Sequence, residues 1–132
     1  MKLIFCCSDP REEADLERKV RQSLLSPEED ASFICLFGGP IFFAYPDLFG
    51  GMGHCLLGQI RFAIDNFGVT EIVLIGHDCG FYVNVPTPPT DDRGRKADLT
   101  RGAAFVLNNI RGVSVTTLYD ASEGDEIAFE EV

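Results

Sequence analysis

LLGQIRFAIDNFGVTEIVLIGHDCG, residues 56–80, changes its apolar period once. Leu56, Ile60, Ala63, Ile64 and Phe67 recur at helical spacing, and Gly68 stands where a left-handed residue closes a helix. The run Glu71–Gly76 then offers consecutive strand formers with no polar alternation, which reads as a strand buried on both faces. A helix feeding such a strand is the repeating unit of a parallel sheet. Working outward, residues 2–7 are another apolar strand, after which Asp9, Pro10 and Glu12 supply N-cap, N1 and capping-box partner for a helix to about Leu25, with Leu16, Val20 and Leu24 as its stripe. Residues 32–37 read as a further buried strand, followed by a glycine-rich loop through Gly53. Residues 81–97, with Pro86, Pro88 and Pro89, read as a loop. A third helix carries Leu99, Ala103, Val106, Leu107 and Ile110; residues 113–119 form a strand, 122–125 a turn and 127–132 an edge strand. The expectation is one α/β domain over residues 1–132: three layers, a mainly parallel sheet of about five strands, and one antiparallel edge strand.

Bulk properties narrow the possible partners. The chain has 132 residues, 45% of them hydrophobic, enough for one core. A formal charge of -10 argues against a nucleic-acid backbone or an anionic membrane as partner and favours a small molecule or a protein. No apolar run approaches the ~18 residues of a bilayer span. Five cysteines, an odd number without a secretory leader, argue for reduced thiols and a cytoplasmic setting rather than a disulfide framework.

In folds of this kind sites lie at the carboxyl ends of the strands. Two chemistry-bearing runs fall there: Cys7-Ser8-Asp9-Pro10-Arg11 after the first strand and His77-Asp78-Cys79-Gly80 after the third. Cys7, His77 and Cys79 together would make a zinc site with one coordination position left over. The pair of runs resembles the β-class carbonic anhydrase family, whose metal site joins a Cys-x-Asp-x-Arg run to a later His-x-x-Cys run. Cys7, Asp9 and Arg11 match the first residue for residue. The second is one residue shorter here, His77-x-Cys79, within an otherwise similar Gly-His…Asp-Cys-Gly context, and the likeness runs on to Tyr119, Asp120 and Gly124. The family's Arg-Asn-Ala-Gly-Asn-like run after its second strand is replaced by Leu36-Phe37-Gly38-Gly39-Pro40, which implies a more apolar pocket.

The resemblance implies that Cys7, His77 and Cys79 hold Zn2+, whose charge brings the pKa of a water toward ~7 so that hydroxide attacks carbon dioxide to give bicarbonate. Asp9 would orient that hydroxide and Arg11 would hold Asp9 ionised by a two-pronged bond, the two acting as catalytic residues. It also implies a homodimer or higher homo-oligomer. A zinc-binding but catalytically weak relative with a structural or sensing role is the second reading, favoured by the shortened run. A thiol-reactive domain with Cys7 or Cys79 as nucleophile is the third; Cys6-Cys7 lacks Cys-x-x-Cys spacing. Plainer roles exist for the same residues: Asp9 as an N-cap, Arg11 as a solvated first-turn residue, and Cys7 as an ordinary buried thiol. Cys6, facing the other side of its strand, and Cys35 read as packing, as does Cys55. His54 reads as a capping or surface histidine, or as a proton shuttle if the glycine-rich loop folds over the site. Phe42, Phe43, Tyr45 and Phe49 read as a subunit interface.

Overall fold

The computed structural model describes residues 1–123 and 126–132, with the side chains of residues 10–15 outside the described set. In chain order the elements are β1 (Lys2–Cys7), α1 (Pro10–Ser23), β2 (Ala31–Leu36), α2 (Ile41–Ala44), α3 (Leu48–Phe67), β3 (Glu71–Gly76), a 3-10 turn (Gly80–Asn84), α4 (Asp92–Asn109), β4 (Ser114–Asp120) and β5 (Phe129–Glu131). The strands lie in the order β2-β1-β3-β4-β5. All pairs are parallel except β4 with β5, which is antiparallel. The expected mixed sheet with one antiparallel edge strand is therefore present.

Two apolar clusters sandwich this sheet because successive side chains on a strand point to opposite faces. Leu3 and Phe5 of β1 pack with Ile72 and Leu74 of β3 against Leu56, Leu57 and Ile60 of α3 and Leu99 and Val106 of α4. Their neighbours Ile4, Cys6, Val73 and Ile75 pack on the other face against Leu16 and Val20 of α1. Three layers result. The order of strands has one further consequence. The chain leaves β1 for β2 on one side, then crosses back to place β3 on the other, so the direction of winding reverses between β1 and β3. Ligands in open α/β sheets bind in the crevice at such a reversal, beyond the carboxyl ends of the two strands.

Several expectations change. The glycine-rich stretch 38–53 is mostly helical: it holds α2 and the start of α3, with a kink in which Phe49 takes a left-handed conformation (φ 52°, ψ 43°) beside Gly50 and Gly51. Phe42 and Phe43 are 2% and 1% exposed and belong to this chain's own core, which removes them from any subunit interface. Helix α4 begins at Asp92, inside the stretch read as loop, because Asp91 caps it by accepting a hydrogen bond from the Gly94 N–H at 2.9 Å. Cys55 is exposed rather than core. Leu107, placed on the inner stripe of α4, is 48% exposed. Cys6 and Cys35 are joined as a disulfide, against the expectation of reduced thiols throughout. The parallel register sets Cys6 opposite Cys35 on adjacent strands, with Cα atoms 4.9 Å apart, within the span a bridge requires. Gly124 and Asp125, part of the expected turn, lie outside the described residues.

Candidate metal centre

Cys7 is the last residue of β1, and His77 follows the last residue of β3. Phe5 pairs with Leu74, so continuing that register sets Cys7 level with Gly76 and brings His77 one step beyond it. The shortened His77-x-Cys79 run still delivers both donors inward. Cys79 retains an extended backbone (φ -107°, ψ 126°) at the head of the 3-10 turn. His77 and Cys79 are buried while Asp78 between them is exposed, the alternation expected of residues two apart in extended chain. The donor atoms of Cys7, His77 and Cys79 all lie within 4.8 Å of one another. Among the described residues this is the group of such side chains able to hold a metal ion.

The donor set fits a soft divalent ion. Sulfurs ~2.3 Å from a tetrahedrally bound zinc stand about 3.8 Å apart, and the Cys7 and Cys79 sulfurs stand 3.5 Å apart. Their shared contact moves the two thiols in opposite directions. The hydrogen bond from Cys79 lowers the pKa of Cys7 well below the ordinary thiol value, and His77 and the backbone N–H groups of Gly38 and Asp9 act the same way against burial. The Cys7 contact, with burial, pushes Cys79 up. Metal binding at such a pair requires both sulfurs as thiolates, so it would release protons.

The Cys7 sulfur is held by the turn after β2 as well as by its own strand. Gly38 donates its N–H to that sulfur at 3.4 Å. At Gly39 (φ +48°), a Cβ would come within 2.9 Å of the Cys6 carbonyl and the Cys7 nitrogen, so the turn can lie over the end of β1 only without a side chain there. On the outer side, Cys7, Asp9, Phe37, Gly38, Cys79, Gly80 and Phe81 line an open depression of about 330 Å³. Asp9 is buried at its wall. The Arg11 side chain, expected to hold Asp9, lies outside the described residues.

Behind the donors lies a polar layer from α2 and α4 that sequence reading missed. A cavity of about 10 Å³, room for roughly one water, is lined by His77, Cys79, Tyr82, Arg95 and Asp98 among others. Asp98 is buried and accepts hydrogen bonds from the Tyr45 hydroxyl (3.1 Å) and Arg101 (2.8 Å). Arg95 ties the donor segment to α4 and β4: it pairs with Asp92 at 2.6 Å, donates to the Tyr119 hydroxyl at 3.1 Å and reaches Asp78 at 3.6 Å. These residues, Tyr45, Arg95, Asp98, Arg101 and Tyr119, are scattered over the end of α2, α4 and β4 and carry no pattern in the sequence until α4 is placed. His54 bonds Asp47 at 3.2 Å and sets its ring edge-on to Phe105, a surface role. No family model matches the chain, and no curated protein matches it. No helix among the described residues is long and apolar enough to cross a membrane.

Proposed function

We propose that the chain is a zinc-dependent lyase similar to the β-class carbonic anhydrases, interconverting carbon dioxide and bicarbonate. The convergence of Cys7, His77 and Cys79 at the reversal between β1 and β3 carries this reading. Three protein donors leave a tetrahedral ion one position for chemistry. Zinc held there would supply Lewis acidity, the means of making hydroxide available near neutral pH. The depression beside the sulfurs admits a small uncharged molecule, and Phe37 and Phe81 on its wall keep the approach apolar. Asp9, buried at the same wall, would accept a hydrogen bond from the attacking oxygen and orient it. The family resemblance would give Arg11, whose side chain lies outside the described residues, the role of holding that carboxylate.

The lining also favours a second reading. Apart from the sulfurs, Asp9 is the one charged group lining the depression among the described residues, so an anionic product has little to hold it. That suits a zinc-binding relative with little turnover. Elemental analysis of the purified protein and stopped-flow hydration of carbon dioxide by the zinc-loaded form separate the two. Stoichiometric zinc with a rate well above buffer supports the lyase. Zinc with a buffer-level rate leaves the second reading, and absence of zinc removes both. Sedimentation velocity tests the associated expectation of a homodimer, for which Phe37 and Phe49, 64% and 62% exposed, are two of the exposed apolar side chains.

A further inference from the structure

The geometry points to Cys7 and Cys79 as an oxidisable pair: a hydroperoxide converts them to a disulfide, and a metal ion held by them is lost. The second half of this statement rests on the metal-binding reading above; the first does not. The two sulfurs are in contact at 3.5 Å, although 72 residues separate them in sequence. A bond requires ~2.05 Å, so they must close by about 1.5 Å. Cys79 is suited to that movement because it lies beyond the end of β3, outside the sheet's hydrogen-bond ladder. Cys7 and Cys79 both line the open depression, whose wall includes Gly38 and Gly80, and this is the route by which a molecule as small as hydrogen peroxide would approach them.

The surroundings assign the roles. The N–H of Gly38 donates to the Cys7 sulfur, which favours negative charge there and makes Cys7 the attacking group. Cys79, already in contact with it, is the resolving thiol. The Cys7 thiolate attacks one peroxide oxygen, the O–O bond breaks, and hydroxide leaves and takes up a proton, giving a sulfenic acid and water. The Cys79 sulfur then attacks the Cys7 sulfur, the S–O bond breaks, and the departing hydroxide leaves as a second water with the remaining thiol proton. Two electrons pass from the sulfurs to the peroxide. With both sulfurs joined to each other, His77 is the one donor left of the three, too few to retain an ion, and a dithiol reductant restores the site. The other cysteines stand apart from this chemistry: Cys6 is joined to Cys35 on the opposite face, and Cys55 is exposed on α3.

The test uses Cys55→Ser protein, which removes the exposed competing thiol, in zinc-loaded and metal-free forms. After hydrogen peroxide, released zinc is read with a chromogenic chelator and disulfides are mapped by mass spectrometry without reduction. The expected result is a covalent link between the segments carrying Cys7 and Cys79 in both forms, release of one zinc per link formed, and recovery of zinc binding after dithiothreitol. In Cys79→Ser protein, dimedone should trap a sulfenic acid at Cys7. Recovery of Cys7 and Cys79 unlinked from folded protein, as thiols or as sulfinic acids, overturns the pairing. A link in protein that never binds zinc would sustain the pair while removing the metal reading.

Discussion

Residues two apart in extended chain share a side, and this lets one missing residue between His77 and Cys79 leave both donors facing Cys7. The ligand assignment has a direct consequence. Cys79→Ser should lose tight zinc binding, because two donors remain, whereas Asp9→Ala should keep the metal and alter activity; equal zinc content in Cys79→Ser and parent, by elemental analysis, would refute it. Two left-handed glycines separate a conformational cost from a packing one. At Gly68 (φ +65°) nothing lies within 4 Å of an added Cβ, so Gly68→Ala should cost about 1 kcal/mol. Gly39→Ala adds a collision with the β1 backbone at the metal ligand and should cost about 2–4 kcal/mol in urea denaturation, with weaker zinc binding. The donors were legible because strand ends and soft ligands are written in residue types. The role of Gly39 was not, since a glycine after a strand reads only as a turn until the neighbouring strand is known.

Elements were most legible where one apolar pattern was uninterrupted. The strand Glu71–Gly76 and the end of α3 at Phe67, with Gly68 left-handed after it, fall where the sequence put them. Local chemistry outweighed composition elsewhere. Three prolines made residues 81–97 read as loop, yet α4 starts at Asp92 because Asp91 satisfies the Gly94 N–H. Asp91→Ala should therefore cost about 1 kcal/mol in thermal or urea unfolding; an unchanged midpoint would mean the cap contributes nothing. The glycine-rich stretch was misread for the opposite reason. Its apolar side chains, Ile41, Phe42 and Phe43, are buried, and burial imposes helix on a segment whose propensity is poor.

Across the whole molecule, two cores that share a sheet and little else should respond independently. Ile4 packs toward α1 and Ile60 toward β1 and β3 from the other face, and both are 0% exposed. Ile4→Val and Ile60→Val should each cost about 0.5–1.5 kcal/mol, and the double variant should equal their sum within ~0.5 kcal/mol. A larger deviation in urea midpoints would mean that the sheet couples its faces. The sequence by itself determined the α/β class, the number of strands and the two runs that carry the donors, because apolar period, caps and ligand chemistry are local properties. Only the tertiary structure decided that β1 and β3 are neighbours, that Cys6 faces Cys35, and that Asp98 and Arg95 stand behind the donors. Those are long-range pairings, set by which faces can be buried together, and no residue spacing along the chain records them.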